Sequence, residues 1–565
     1  MAFVSRRPPS PQRITAGPWR GVVSTNDPFD DAQDTLYDAT NIYLPDPAGK
    51  CGAYARPGFA LYTPAPLDTG SFRGQGVFTH VDLDGTVTNF CVIKGKLYRT
   101  DSTFTVFTDV SPVGITISNL TTTRVYGVQF GNEMVITDGV NKPWLMTSFT
   151  ATPVVGTYIK FNVADTAWNA YGRPTVYGGS LFFILNTVNS VSYRSTLAWS
   201  NPADASTGYD QLNYDFTWTI FATGIAPITA IQGTNTALYY GTANTIGQIV
   251  GAVGPNLQST ATTAAISVNV GMAIPQTVVL FGQVIFFCDV NGRPWMLPEG
   301  QAPVPIYLQM RAILDGSAAA GFPNVTRTVA TATLESNFNL YLVAIISSST
   351  SNDGPPTEMY AFDARSGTYE GRWIIGAGVQ IEHLGNFSDT NGKGTLICLG
   401  SILPPSGSSL AASGYVWGMN GITSGGDSIT TENFFSITTE DGLMITTEGS
   451  ATIWLDNGVV PTITATTNRI GYSVTEMLHV DRANLAVGSA SPVTVSMQSA
   501  STAFTVESTP TPVSAQDDVF RAVAGADLVG RGITVVASPT TADTQWTIQQ
   551  VAIDAVAVLA GPDES

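Results

Sequence analysis

The sequence predicts an all-β fold built around a β-propeller of six to eight blades. Three observations lead there. Hairpin-like pieces recur roughly every 40 to 55 residues between about residues 75 and 420, a blade-like spacing. Thr, Val, Ile and aromatic residues fill short runs that favour strands. Charged residues make up only 12% of the chain, so the charged helix formers that long amphipathic helices use are scarce.

Each recurring piece is an aliphatic or aromatic strand, a Gly-containing turn and a second strand. FCVIKGKLYRTD (90–101) and VYGVQFGNEMVITDGVNKPWLM (125–146) come first. TVYGGSLFFIL (175–185), ALYYGTANTIGQIVG (237–251) and VVLFGQVIFFCDVNGRPWML (278–297) follow. The last two start at NLYLVAII (339–346) and GTLICLGS (394–401). Asp82-Leu83-Asp84-Gly85 reads as a hairpin turn, since Asp-Gly suits the left-handed positions of a type I′ turn. The polar stretches 201–224 and 347–356 read as long surface loops.

The flanks differ from the repeats. Residues 1–20 hold Arg6, Arg7, Arg13 and Arg20, several prolines and no acid, which predicts an extended arm. Those four arginines are the candidate docking residues, suited to an acidic neighbour such as another copy of this chain. Asp30 or Asp31 is placed to cap a short helix running through Ala39, followed by a strand from Asn41 to Leu44 and a turn at Arg56-Pro57-Gly58. Ile-Thr-Thr-Glu recurs with a period of eight at 429–432, 437–440 and 445–448, and Ile453 keeps the phase. An even period returns Ile to one face of a strand, so this reads as a structural rib. Strand pieces with two-residue alternation continue to the end and suggest a β-sandwich-like region. The expected division is 1–72, an N-terminal arm and docking or platform segment; 73–425, the propeller; and 426–565, a C-terminal β-rich region with the octad repeat.

The net charge is −18 and the isoelectric point about 4.4. A nucleic-acid reader needs basic surface to neutralise phosphates, so tight DNA or RNA binding is disfavoured. Passage of DNA along a repelling wall is compatible with this charge. Cys51, Cys91, Cys288 and Cys398 show no metal-binding spacing, and Cys91, Cys288 and Cys398, in apolar strand-like runs, read as buried free thiols, which fits a reducing compartment. No apolar signal core opens the chain, and its longest apolar stretch, 278–287, falls far short of the roughly 20 residues that cross a bilayer. A soluble protein made in a cytoplasm is expected.

Of the three histidines, His80, His383 and His479, none sits in a HExxH motif or beside a Ser/Asp pair, and each reads as structural. GxSxG and GxxxxGK[ST] are absent, as are the Ser-x-Asp-x-Gly-x-x-Trp box of propeller sialidases and the Gly-His and Trp-Asp signatures of WD repeats. The expectation is that the chain is not an enzyme and has no catalytic, cofactor or metal residues.

Four stretches resemble one family in order along the chain. The first is 21–59, with Asp38-Ala39-Thr40-Asn41 and then Arg56-Pro57-Gly58. The second is 173–210, with Trp199 to Pro202; the third is 271–306; the fourth is MYAFDARSGTYEGRW, 359–373. Together they resemble the tail nozzle or hub proteins of short-tailed bacteriophages, a group that includes tail tubular protein B and the packaged-DNA stabilisation proteins. The resemblance implies a virion protein assembled in the host cytoplasm. Copies, six by expectation, would form a ring below the portal and adaptor that retains DNA and conducts it at ejection. Its partners would be further copies of itself, adaptor or portal-proximal proteins, tail fibres or spikes, and passing duplex DNA. Two other classes stay open: a receptor- or carbohydrate-binding tail propeller, and a polysaccharide-degrading one.

Overall fold

The computed structural model describes the blade strands and most of their turns between residues 74 and 419, the segments 12–16, 36–44, 53–63 without 57, and 66–69 before them, and strands between 437 and 558 after them. Seven sheets, each with an antiparallel run of strands at its heart, follow one another along the chain and form a seven-bladed β-propeller. Their innermost strands are Gly74–Val81, Tyr126–Phe130, Trp168–Tyr177, Ala230–Gly233, Val279–Phe281, Thr331–Glu335 and Val379–Ser388. Each recurring sequence piece falls in a different blade. The count of seven lies within the six to eight expected.

The aliphatic runs are explained by burial on both faces of each blade. In blade 2, Met134 and Ile136 pack toward blade 1, whereas Val135 between them packs toward blade 3. Blade 3 repeats this: Phe182 and Ile184 face blade 4, and Leu181, Phe183 and Leu185 face blade 2. Among the described residues, seven apolar clusters fill the seven gaps between neighbouring blades. Each fully buried large apolar side chain contributes about 1.5–3 kcal/mol, so the gaps supply the main cohesion of the disc. The turns carry their own chemistry. Gly85, at φ +85°, closes the Asp82–Gly85 turn by donating its N–H to the Asp82 carbonyl at 2.9 Å.

Closure of the ring falls to the N-terminal segment. Blade 7 has three strands from its own stretch, Val379–Ser388, Gly394–Ile402 and Ser413–Met419; its fourth is Phe59–Leu61, paired through Trp417↔Leu61, Gly418↔Ala60 and Met419↔Phe59. The inner strand of blade 7 then packs on that of blade 1. A strand from one end of the chain thus completes the blade built from the other end.

Blade 6, Thr331–Glu335, Leu340–Ala344, Glu358–Asp363 and Tyr369–Ile374, does not stop at four strands. Leu36–Thr40 lies beside its outer strand, and Thr464–Thr467, Thr534–Pro539, Val493–Gln498 and Ala503–Ser508 extend the same sheet to nine strands. A second sheet joins Ile42–Tyr43 and Ala53–Ala55 to Thr547–Val558, Met477–Val487, Phe520–Gly530 and Thr511–Pro512. Buried residues of both sheets, Leu485, Ile553, Val495 and Ala537 among them, share one cluster with blades 5 and 6.

Three local expectations need correction. Leu36–Thr40 is a strand, where the sequence suggested a helix through Ala39. Pairing with Thr464–Thr467 overrides the local capping signal, and Asp30 and Asp31 lie outside the described residues. Gln12–Ala16 is a strand paired with Thr547–Val558, so this part of the expected extended arm is bound into a sheet. Gln211–Thr219, inside the expected 201–224 loop, is the outer strand of blade 3. Its apolar residues Leu212, Tyr214, Phe216 and Trp218 alternate with polar ones, a strand pattern that the surrounding Asn, Asp and Ser obscure. In the octad repeat, Ile437–Thr438 pairs with Met444–Ile445, which sets Ile437 opposite Ile445. The rest of that repeat, like the 347–356 loop, lies outside the described residues.

Candidate functional site

The sequence-predicted docking arginines are not gathered into a site. Arg13 lies in the Gln12–Ala16 strand, opposite Asp554 in register, and Arg6, Arg7 and Arg20 lie outside the described residues. Cys91, Cys288 and Cys398 are buried free thiols, and Cys51 lies outside the described residues. Burial pushes the Cys91 thiol far up, burial and then the Glu382 charge do the same to Cys398, and burial, opposed by the hydrogen bonds of Thr277 and Tyr341, takes Cys288 up to about 12. His80 stacks on Phe149 with ring centroids 3.5 Å apart and points Nε2 at the Asn132 carbonyl, 3.2 Å away, which matches its structural reading.

Two of the motif-bearing stretches, more than 300 residues apart, meet in one polar clasp. Asn41 adopts φ +57°, a left-handed conformation that Asn tolerates better than most residues. Its N–H donates to the Arg372 carbonyl at 2.8 Å, and its side-chain Oδ1 accepts from Ile374 N at 2.8 Å and from Arg56 Nε at 2.9 Å. Arg56 also donates through Nη2 to the Ile374 carbonyl, and its guanidinium sits 5.0 Å from the centre of the Phe59 ring. Trp373 Nε1 donates to the Ile42 carbonyl at 2.7 Å, and Arg372 Nε to Thr40 Oγ1 at 2.9 Å. The carboxyl of Glu370 accepts from Leu44 N at 3.1 Å; burial raises its pKa well above the carboxylate range, opposed by that hydrogen bond. Gly371, at φ +129°, lies where a Cβ would come within 2.8 Å of the Ala39 carbonyl oxygen, so only glycine admits this approach. The clasp ties blade 6 to the segment that closes blade 7.

The other two stretches meet on the propeller axis. Blade 3 has a register break between Tyr171 and Thr175, with Gly172 at φ +67°. The irregular backbone there carries Arg173 on the wall of the tunnel. Before the inner strand of blade 5, a single 3-10 turn, Pro275–Thr277, is fixed by Thr277. Its Oγ1 donates to the Ile274 carbonyl at 2.7 Å and accepts from Cys288 N at 2.9 Å. That turn places Gln276 on the wall of the same tunnel.

Two adjoining cavities share Tyr126, Pro275 and Gln276. One, about 510 Å³, is lined by the inner strands of all seven blades and is the tunnel itself. The other, about 570 Å³, opens among blades 2 to 5 and is lined by Arg124, Tyr171, Asn186 and Arg194. The Arg194 guanidinium lies 3.7 Å from the centre of the Tyr171 ring, a cation–π contact. Asp138 is the carboxylate among the residues lining these cavities. Its oxygens already accept from Ser118 N at 2.8 Å, Val140 N at 3.0 Å, and Asn141 N and Nδ2, each at 2.7 Å. In a chain of net charge −18, the axis is therefore locally basic.

His383, buried at 8% exposure, lines the tunnel from blade 7. Burial first, and then the charges of Arg124 and Arg173, pull its pKa down to about 3. Its neutral state is thus fixed by its surroundings, although the sequence marked it only as structural. Arg124, Arg173 and Gln276 were not singled out by the sequence reading. The local patterns differ, since Arg124 precedes the inner strand of blade 2 whereas Arg173 lies inside that of blade 3, so no shared signal marked them. Among the described residues no group of three or more His, Cys, Asp or Glu side chains is gathered to hold a metal ion, and no helix is long and apolar enough to cross a membrane.

No protein-family model matches the chain, and no curated protein does. Among solved structures, it is similar to an exo-β-1,3-galactanase from Phanerochaete chrysosporium at 10% identity and TM-score 0.25, over 86% of this chain and 100% of that one. It is similar to the Dos1 propeller at 9% identity and TM-score 0.36, over 72% and 94% of the two chains. A puromycin-hydrolyzing peptidase of Mycobacterium tuberculosis matches at 12% identity and TM-score 0.35, over 59% and 51%. At these scores no residue of one chain is matched to a residue of another. The galactanase matches do correct one expectation, that this chain is not an enzyme, which is withdrawn. The physical reason is that catalytic carboxylates of a propeller can come from separate blades and leave no local motif.

Proposed function

We propose that this chain is a ring-forming subunit of the tail nozzle of a short-tailed bacteriophage, in which several copies enclose the path by which DNA leaves the virion. The observation that carries this reading is the clasp. The opening stretch with Asn41 and Arg56 and the late stretch ending in Arg372-Trp373 both resemble the nozzle family, and they are partners in one hydrogen-bonded unit. Independent turn motifs would have no reason to meet. The 510 Å³ tunnel of a single propeller, occupied by Arg173, Gln276 and His383, is far too small for a duplex. In this reading DNA therefore runs between copies, and the propeller serves as a rigid wall element.

The acidity of the chain supports the same assignment, since a negative wall repels DNA and keeps it from sticking. A closed ring needs a heterologous interface that returns on itself. The partners of this reading are further copies, adaptor or portal-proximal proteins and tail fibres or spikes, and the location is the virion tail. Mass photometry of the purified chain and cryo-electron microscopy of isolated tails test it. A closed ring, expected to contain six copies, supports the proposal; a chain that stays monomeric and is absent from tails rejects it.

A second reading, a tail propeller that binds or cleaves host carbohydrate, is favoured by the axial cavity with its arginines and tyrosines. Release of reducing sugar from host capsule by the purified chain would favour it over a nozzle.

A further inference from the structure

We propose that the outer edge of blade 4 is the seam at which a second copy of this chain docks. The inference rests on the ring reading above and names the surface through which that ring would join. Residues 216–288 contain no Asp, Glu, Lys, Arg or His, although charged residues make up 12% of the chain. All four strands of blade 4, Ala230–Gly233, Leu238–Gly241, Ile246–Val250 and Thr262–Ser267, fall inside that stretch.

Among the described residues, Thr262–Ser267 is the last strand of its sheet, and its first four residues are exposed. Val250, in register beside Thr262, and Val268, just past Ser267, are exposed apolar side chains at its two ends. Pairing with Ile246–Val250 is regular from Thr262 to Ala265 and shifts only beyond Ala265. An edge strand offers a row of unpaired N–H and C=O groups, which soluble proteins guard with cover, charge, proline or shortness. The other blades carry those guards. Leu36–Thr40 covers blade 6, and the outer strand of blade 7 is the short Phe59–Leu61. Lys160–Phe161 pairs with the outer strand of blade 3, which also holds Asp215. Val304–Pro305 on blade 5 is two residues long and contains proline. Phe107–Asp109 on blade 1 places Asp109 3.4 Å from Lys96. Val155–Tyr158 on blade 2 is four residues long, with Lys160 two positions after it. The edge of blade 4 has no charge, no proline and, among the described residues, no covering strand. An edge of that kind is a template for pairing with another chain.

The charge of the chain points to what covers it. Two copies of net charge −18 repel wherever their charged faces meet, and blade 4 is the sector where they approach without bringing like charges together. The cores of protein interfaces show the same depletion of charge. A basic partner would be met by carboxylates, and blade 4 has none.

Mass photometry of the purified full chain at rising concentration, at low and high salt, tests this. Ala264→Glu and Thr263→Glu place a carboxylate on either face of the edge, and each should weaken self-association roughly tenfold or more. Ala264→Thr should leave it unchanged. All three substitutions are exposed and should keep the thermal midpoint within about 2 °C of the natural chain. Salt should leave the association of the natural chain unchanged or strengthen it, because screening removes only repulsion. Amide exchange of the natural chain should show Thr262–Ala265 protected in the assembly and exchanging in the monomer, a readout that needs no variant. If the natural chain assembles but both glutamate variants assemble equally well, or those amides stay unprotected, the seam is overturned and the ring reading stands. Association that falls as salt rises would assign assembly to the N-terminal arginines and also overturn the seam. A natural chain that is monomeric at every concentration and absent from tails rejects both. Photo-cross-linking from position 264 in tails to a different protein, with none to a second copy, would give the edge to that partner and overturn the proposal.

Discussion

Arg56 and Arg173 belong to the same chain, and their surroundings treat them in opposite ways. Arg56 is 0% exposed; it donates to Asn41 Oδ1 and to the Ile374 carbonyl and stacks near Phe59. Arg173 faces the axial tunnel and makes no such bond among the described residues. The first is neutralised by fixed dipoles at a junction with no space to spare. The second stays exposed on the tunnel wall. A buried cation supplied with partners is part of the scaffold, and an exposed one without them adds little to stability.

The largest effect should come from the scaffold side. Arg56→Ala removes two charge-assisted hydrogen bonds and a ring contact, and leaves the Ile374 carbonyl unpaired. A loss of about 4 kcal/mol is expected in urea unfolding followed by tryptophan fluorescence. Arg56→Lys should recover less than half of it, because an ammonium lacks the fork that reaches Asn41 and Ile374 together. If Arg56→Ala costs no more than Arg173→Gln, the contrast between clasp and axis fails.

Next comes closure of the ring. A Cβ on Gly418 would lie 2.0 Å from the Tyr62 ring, in the pair that seats Phe59–Leu61 on blade 7. Gly418→Val should cost about 3 kcal/mol by overpacking and should loosen that strand. Limited proteolysis is expected to cut first between Leu44 and Gly74, before any cut within blades 2 to 5. Cleavage spread evenly over the blades would show that the strand is not the closing element.

The blades were legible in the sequence for a simple reason: both faces of each strand are buried, so apolar runs appear wherever a blade does. Met134, Val135 and Ile136 make such a run while serving two different gaps. What the sequence hid is long-range. Leu36–Thr40 looks like the end of a capped helix until Thr464–Thr467 is beside it. Phe59–Leu61 gives no sign that its partner is Ser413–Met419. The axial site was hidden for the same cause, since Arg124, Arg173, Gln276 and His383 come from blades 2, 3, 5 and 7, and no local pattern announces their convergence. Asn41 and Arg56 were visible only as a step and a turn, although they are each other's partners.

The smallest of these effects, and the sharpest probe of the axis, is its response to acid. His383 titrates near 3 in the fold, against about 6.5 in an unfolded chain. Below pH 6.5 the unfolded state takes up a proton that the native state refuses, so stability is full above 6.5 and is lost as pH falls toward 3. Between pH 8 and pH 5 this amounts to about 2 kcal/mol. Glu370 in the clasp has the opposite sign: its raised pKa favours the fold below about 4.5, and that contribution is lost as pH rises through the folded value. Urea unfolding of the natural chain and of His383→Gln at pH 8 and pH 5 isolates the histidine by difference. The variant should lose about 2 kcal/mol less than the natural chain over that interval. Equal losses would mean that His383 accepts its proton in the fold. Burial of the ring, the larger cause, and the two neighbouring arginines would then together fail to hold it neutral.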